Sequence, residues 1–298
     1  MTDPKKIINS LDKFLKDYSG EKDYATSKYE LLDNFYDLKK NKSNKDSYVA
    51  NNALYGLLLE KNNMKEKSYK VFGDVFDKGL YNNGDVYSII NSNEVKEREF
   101  SEEFKCILGL SLDNKEKKEE IYSQIYKSHR SSEISLRGIL EKKLGKDYSK
   151  SYEQLEELKQ ENGFVRPYRS VRPPHKFQLS DNLWYGFFLK EIGKDDEVKE
   201  LVENIKLSFF YNDGLVKRVL YKDDKREDNS IYAHTNCLWG LLLKEIGDEE
   251  YKDVIKKLEN SDLILDNGLL KRSKNQELVL SYDNALWGLL NSDSKSIF

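Results

Sequence analysis

The chain has 298 residues, of which 38% are hydrophobic and 35% are charged. Its 50 basic and 53 acidic residues give a net charge of −3, so no overall field favours nucleic acid or a membrane surface. No apolar run approaches the ~20 residues of a membrane span, and several charges among the first fifteen residues argue against a secretory leader. We therefore expect a cytoplasmic protein that binds neither nucleic acid nor a membrane.

Apolar residues recur at helical spacing from the beginning of the chain. Ile7 to Tyr18 and Tyr24 to Lys40 each predict a helix. A helical pair follows, from Tyr48 to Lys61 and from Lys65 to Phe76. Pairs of helices joined by short turns are the expected unit of this chain.

Two less regular pairs come next. An apolar stripe from Phe100 to Leu112 predicts a helix, and its partner runs from Lys115 to Tyr126. The segments Ser132 to Leu144 and Tyr148 to Gln160 predict the second pair.

One short phrase returns four times: Asn, any residue, Leu or Trp, an aromatic residue, then Gly. The copies are Asn52 to Gly56, Asn182 to Gly186, Asn236 to Gly240 and Asn284 to Gly288. A fixed phrase at intervals of about fifty residues is typical of helical repeats. The helices that carry it are apolar on all faces and should be buried, whereas their charged, amphipathic partners should lie outside.

Inner and outer helices that alternate around a centre predict an all-α fold, an (α/α)6 toroid. Six inner helices are expected near residues 50, 105, 137, 184, 238 and 286. We expect the helix from Tyr24 to Lys40 to pack on the last inner helix and close the ring. Residues 1–298 would then form one domain, with closing helices in 1–46, partly eroded repeats in 47–162 and regular repeats in 163–298.

The second half carries a resemblance to a known superfamily. The pattern Asp-Gly-Leu, a loop, and then Tyr-Asp-Asn-Ala-Leu-Trp at residues 282–287 resembles the α/α-toroid superfamily, and within it the six-hairpin glycosidase-like proteins. The resemblance covers residues 47–298 in layout but only the second half in motif. It implies a carbohydrate-active protein, with glycoside hydrolysis as one activity. Toroids also serve as isoprenoid cyclases, prenyl-transfer subunits and sugar epimerases, so the fold does not fix the activity.

The long connections all run from an outer to an inner helix, which places them at one end of the ring, where binding residues are expected. Just before the repeated Asn stand Asp181, His234 and Asp283. Two carboxylates could act as the acid and base of a glycosidase, with the imidazole assisting. The alternative is that both carboxylates are favourable charges at helix starts and that the histidine is structural.

Candidate binding residues come from one unusual segment and from the aromatic residues. The segment Arg166 to Lys176 is rich in proline and basic residues, and could clamp an anionic group or be a solvated basic loop. The expected substrate-binding residues are Arg166, Arg169, Arg172, His175, Tyr232, Tyr282, Trp184, Trp239 and Trp287. For the tryptophans, core packing is the alternative.

Three functions remain open. The first is a carbohydrate-active toroid that binds an acidic sugar and hydrolyses or isomerises it. The second is a non-catalytic toroid that binds a protein or peptide partner through the basic segment Arg166 to Lys176. The third is an isoprenoid-binding or cyclase-like toroid, which requires a hydrophobic centre. No His or carboxylate pair has metal-site spacing, so we predict neither a metal nor a cofactor.

Overall fold

The computed structural model describes residues 2–16, 35–40, 42–43, 46–76, 81–82, 85–86, 89–91, 95–97, 102–125, 128–168, 176–210, 214–221 and 230–298. Within these ranges the chain forms twelve helices and ten short strands. Six of the helices form an inner ring. They are α2 (Val49–Lys61), α4 (Glu102–Ser111), α6 (Ser131–Lys143), α8 (Leu179–Glu191), α10 (Ala233–Ile246) and α12 (Ser281–Asn291). Each contacts the next in this order, and α12 contacts α2, so the ring is closed.

The other six helices cover the outside of the ring. They are α1 (Pro4–Lys16), α3 (Lys65–Val75), α5 (Lys115–Tyr122), α7 (Ser149–Glu156), α9 (Asp195–Phe209) and α11 (Tyr251–Glu259). Helices α3, α5, α7, α9 and α11 each pack on the inner helix that precedes them, and α1 packs on α12. The predicted (α/α)6 toroid with buried inner and amphipathic outer helices is therefore confirmed.

The helix that closes the ring is not the expected one. We placed it at Tyr24 to Lys40, but residues 17–34 lie outside the described ranges and Phe35–Asp37 forms strand β1, followed by a turn. Helix α1 packs on α12 in its place, while β1 pairs antiparallel with β10 (Leu278–Leu280), with Tyr36 opposite Val279. Leu31, Phe35 and Leu38 fit a helical spacing, but three apolar positions are too few to distinguish a helix from a strand.

Short strands join neighbouring repeats at one end of the ring. They are β2 (Lys42–Ser43), β3 (Asp46–Tyr48), β4 (Tyr81–Asn82), β5 (Asp85–Val86), β6 (Ile89–Asn91), β7 (Val95–Glu97), β8 (Lys176–Gln178) and β9 (Val219–Tyr221), in addition to β1 and β10. The sheet orders are β10-β1-β2, β3-β6-β7, β4-β5 and β8-β9. Strands β3, β8 and β10 run directly into α2, α8 and α12, so they fix the N-terminal ends of these inner helices.

Burial separates the two helix types as the sequence predicts. In α10 every residue from Thr235 to Leu243 is buried, whereas α11 buries only Val254, Ile255 and Leu258. A helix apolar on all sides needs neighbours on all sides, which the ring supplies. None of the described helices is long and apolar enough to cross a membrane.

The repeated Asn ties the inner helices α8, α10 and α12 to the loops that lead into them. Asn236 accepts a hydrogen bond from the Val216 N–H at 2.8 Å and donates to the carbonyls of Val216 and Tyr232. Asn182 and Asn284 make the same bonds, to Val165 and Leu270 respectively. Each bonded loop residue lies two positions after a glycine of positive φ, a conformation that favours glycine. The Asn of these three copies is thus a loop anchor.

The repeated Gly allows inner helices to pack closely on their neighbours. A Cβ at Gly288 would lie 2.5 Å from the Leu58 Cδ2 atom of α2. We expect Gly288→Ala to lower the free energy of unfolding by about 1–3 kcal/mol, because two packed helices would have to separate. Denaturant unfolding measures the change.

A matched control for this substitution is Gly73→Ala in α3. A Cβ at Gly73 would meet no atom within 4 Å, so this variant should gain about 0.5–1 kcal/mol from helix propensity. Equal stability of the two variants would contradict the packing role of Gly288.

Candidate functional site

The N-terminal ends of the inner helices surround a cavity of about 310 Å³. This volume is at the lower end of the range for small-molecule sites, ~300–1,000 Å³. The charged and aromatic residues that line it are Tyr48, Glu103, Phe104, Arg130, Asp181, Trp184, Arg218, His234, Arg272, Tyr282 and Asp283. Asp181, His234 and Asp283, which the sequence singled out, therefore line one cavity.

The residues that line the cavity occupy equivalent positions in successive repeats. The position two residues before the repeated Asn, or its equivalent, holds the cavity-lining residues Glu103, Ser132, Ser180, His234 and Tyr282. The next position holds Asn51, Phe104, Asp181 and Asp283, which also line the cavity. These residues differ from repeat to repeat while the Asn after them is constant in the regular copies. The cavity is thus formed where the repeats diverge, as the sequence suggested.

Asp181 is a buried carboxylate held by an arginine. Its Oδ1 lies 3.3 Å from the Nη2 of Arg130, which also donates to the side-chain oxygen of Gln178 at 3.1 Å. Burial raises the pKa of Asp181 to about 6, while Arg130 and Ser132 limit the rise. At neutral pH Asp181 is therefore mostly ionised.

Asp283 has a different environment. It is 1% exposed, and neither of its carboxyl oxygens has a hydrogen-bond partner among the described residues. The nearest ionisable contact is the Nδ1 of His234, 3.8 Å from Oδ1 and beyond hydrogen-bond distance. Burial raises the pKa of Asp283 to about 8, against a lowering by Arg272. Asp283 therefore keeps its proton at neutral pH.

His234 faces the cavity as a neutral imidazole. Burial, the largest cause, and the charges of Arg218 and Arg272 together lower its pKa to about 3. Its ring makes edge contacts with Tyr232 at 5.7 Å and Tyr282 at 6.5 Å between ring centres. At physiological pH it can donate or accept a hydrogen bond, but it does not change charge.

Glu103 is a third carboxyl group at the cavity, and the sequence analysis missed it. Burial raises its pKa to about 7, while Arg130 lowers it and Asp181 raises it further. Glu103 stands two residues before Lys105, which occupies the place of the repeated Asn in the eroded second repeat. Counting back from Gly109, the residue that survives of the phrase, would have located it.

Trp184 is the only one of the three tryptophans at the cavity. It occupies the Leu position of the phrase, where Leu238 also lines the cavity, and its ring stacks on Phe298 with centres 6.1 Å apart. Trp239 packs edge-on against Phe210, and Trp287 donates from its indole N–H to the Gly268 carbonyl. Their buried positions away from the cavity assign both to core packing, the alternative given for them above.

Two of the remaining predicted binding residues, Arg166 and Tyr232, are in the described part of the chain, and neither lines the cavity. Arg166 donates to the Glu157 carbonyl and does not line the cavity, and Arg169, Arg172 and His175 lie outside the described residues. Tyr232 does not line the cavity, and the guanidinium groups of two arginines lie over its ring. Arg218 is 4.7 Å and Arg272 is 5.6 Å from its ring centre, measured at the guanidinium carbon.

At three helix starts around the cavity, a carbonyl of a neighbouring loop accepts a hydrogen bond from the first N–H of the helix. The first N–H of α6, α8 and α10 donates to the carbonyl of Pro167, Arg218 and Arg272 respectively. Each of these carbonyls belongs to the loop of the following repeat, so each loop caps the inner helix of the repeat before it. These three amides are therefore not available to bind an anion. Among the described residues there is also no group of three or more His, Cys, Asp or Glu that could hold a metal ion.

No protein-family model and no curated protein matches the chain. Solved structures match over nearly its whole length. A novel α-amylase from Clostridium perfringens has a TM-score of 0.73 at 16% identity, with 97% of each chain covered. Cellobiose 2-epimerase from Bacillus thermoamylovorans B4167 has a TM-score of 0.69 at 8% identity, over 96% of this chain and 98% of that one. A sugar epimerase from a ruminal bacterium has a TM-score of 0.65 at 10% identity, over 97% and 99%. The chain therefore has the (α/α)6 toroid fold of these glycosidase-like structures.

Proposed function

We propose that the protein is a carbohydrate-active enzyme that binds a sugar in the central cavity and hydrolyses a glycosidic bond there. The observation that carries the proposal is the contrast between two carboxyl groups in one cavity. Asp283 keeps its proton at neutral pH, and Asp181 has lost its own. Carboxyl groups with pKa values pushed apart are the means by which one site supplies an acid and a base together.

The roles follow from the protonation states. Asp283 donates its proton to the glycosidic oxygen as the bond to the anomeric carbon breaks. The Asp181 carboxylate takes a proton from the attacking water or attacks the anomeric carbon itself. Trp184 offers an aromatic surface to the sugar ring. Names of the structural neighbours, an α-amylase and two sugar epimerases, support a sugar substrate.

Hydrolysis is favoured over isomerisation by the state of His234. A histidine base that removes a proton from carbon needs a pKa nearer the working pH. The pKa of His234, about 3, leaves it a weak base. We assign His234 a hydrogen-bonding role toward the sugar.

The other two functions receive less support from the described residues. An isoprenoid chain needs an apolar wall, whereas Arg130, Arg218, Arg272 and three carboxyl groups line this cavity. A partner would bind at the basic segment Arg166 to Lys176, in which Arg169 and Arg172 lie outside the described residues. The test of this function remains a partner pull-down that is lost when both are changed to Glu.

The pH dependence of turnover tests the two roles. With Asp181 ionised and Asp283 protonated in the active form, kcat/KM should be bell-shaped, with limbs near pH 6 and pH 8. Arg130→Gln removes the charge that limits the pKa of Asp181, so the acidic limb should move up by about one pH unit or more. The alkaline limb should not move with it.

Arg166→Gln is the control for this profile, because Arg166 does not line the cavity and should leave both limbs in place. An acidic limb that stays near pH 6 in Arg130→Gln would remove Asp181 from the role of base.

A further inference from the structure

Two arginines occupy equivalent places in successive repeats. Arg218 and Arg272 each stand four residues after a matched glycine, Gly214 or Gly268, and each lines the cavity. Both guanidinium groups lie over the ring of Tyr232, which stands just before α10. Stacking on an aromatic ring fixes the plane of a guanidinium group and leaves its N–H edge free to bond.

Neither arginine has an ion-pair partner in the described part of the chain. Arg130, by contrast, is paired with Asp181. The Nε of Arg272 is buried and lacks a hydrogen-bond partner among the described residues. Both arginines are half-buried, and a half-buried cation without a partner favours a ligand or another charge that balances it.

Charges within the cavity do not balance. The charge of Arg130 cancels that of Asp181, Asp283 carries its proton at neutral pH, and His234 is neutral. The charges of Arg218 and Arg272 then face at most one carboxylate, Glu103, which is itself near half-ionised. The wall formed by these two arginines therefore has an excess of positive charge.

We propose that Arg218 and Arg272, held over Tyr232, form a subsite for an anionic substituent of the sugar: a carboxylate, a sulfate or a phosphate. The subsite rests on the proposed function, since it names the class of sugar that the cavity takes. Planar N–H forks suit all three anions, because each presents two oxygens to one guanidinium group. The ligand is thus still an acidic sugar, as expected from the sequence, but Arg218 and Arg272 bind its anionic group in place of the segment Arg166 to Lys176.

Equilibrium binding of four monosaccharides tests the subsite. Glucuronate, glucose 6-sulfate, glucose 6-phosphate and glucose are titrated into the protein and followed by NMR, which suits weak ligands. We expect at least one anionic sugar to bind about tenfold more tightly than glucose or better, with an affinity that falls as NaCl is raised. The sugar that binds most tightly identifies the anion.

Substitutions of the two arginines then test whether they cause the preference for an anionic sugar over glucose. Arg218→Gln and Arg272→Gln should each bring the affinity for the anionic sugar close to that for glucose. Arg218→Lys and Arg272→Lys keep the charge but not the planar fork, so they should keep part of the preference. Arg166→Gln, which changes an arginine outside the cavity, should retain all of it. Thermal unfolding of each variant establishes that it is folded.

Equal binding of glucose and all three anionic sugars to the unchanged protein would overturn the subsite, and so would a preference that survives both Gln substitutions. The outcomes also separate the subsite from the reaction. An anion preference that disappears in the Gln variants, without turnover of any glycoside, supports the subsite and contradicts the proposed hydrolysis. Turnover of neutral glycosides without any anion preference contradicts the subsite and leaves hydrolysis standing.

Discussion

Asp283→Asn is expected to reduce kcat for any glycoside that the protein turns over by about 10²–10⁴-fold, and to stabilise the fold at the same time. The loss follows because an amide cannot donate the proton that the leaving oxygen needs. The gain follows because Asn has nearly the same shape and is neutral without taking up a proton on folding. Asp283 is 1% exposed, with neither carboxyl oxygen hydrogen-bonded among the described residues.

The sign of the stability change follows from linkage. The folded-state pKa of Asp283, about 8, lies above its ordinary value of 3.8. The folded protein therefore holds this proton more tightly than the unfolded chain does, and stability falls as pH rises from about 4 to about 8. Asn removes this penalty, so the free energy of unfolding of the variant should exceed that of the original protein by on the order of 4 kcal/mol at pH 7 and differ little at pH 4. Thermal unfolding at both pH values measures the difference.

Asp196→Asn is the matched control, because this side chain is fully exposed on α9. It should change neither turnover nor the pH dependence of stability. If Asp283→Asn lowers stability and activity together, Asp283 is a structural residue and the proposed acid is lost.

Asn236→Ala should give the largest loss of stability. Three hydrogen bonds end on this side chain, two of them buried, and its removal leaves the N–H and carbonyl of Val216 buried without partners. An unsatisfied buried group costs about 1–3 kcal/mol, so we expect a loss of roughly 3–5 kcal/mol in denaturant unfolding. Because Arg218 follows Val216 by two residues, sugar binding should weaken as well.

Asn260→Ala tests whether the context of the Asn, and not its residue type, carries this effect. Asn260 makes one exposed bond, to the Lys256 carbonyl four residues back in α11. Its loss should change stability by less than about 0.5 kcal/mol. Comparable losses at both positions would mean that the repeated Asn is an ordinary helix residue and not a loop anchor.

The scaffold could be predicted because its signals are repeated. An apolar stretch around each phrase, such as Leu238 to Leu243, has no polar face and needs burial on all sides, and six such helices leave little choice but a ring. The Asn and Gly positions repeat because every repeat needs the same anchor and the same close packing. The closing helix was misplaced because its segment has no phrase and only a short apolar pattern.

The residues that line the cavity could be predicted only where they stand beside the repeated phrase. Asp181, His234 and Asp283 were found because a constant Asn marks their position. Glu103 was missed because Lys105 replaces that Asn, and Lys105 is itself buried and bonded to the Gln124 carbonyl. Arg130 stands before an inner helix that lacks the phrase altogether, so no repeated residue marks its position. Only folding of the ring brings it to Asp181, 51 residues away.

Direct titration of the cavity carboxyl groups is the decisive measurement for the acid and base assigned here. Carbon-13 NMR of the aspartate and glutamate carboxyl carbons, with Asp283→Asn and Asp181→Asn to identify the signals, gives each pKa in the free protein. We expect Asp283 to titrate near pH 8 and Asp181 near pH 6. Titration of Asp283 near its ordinary value of 3.8 would leave the cavity without this acid at neutral pH and would contradict the proposed mechanism.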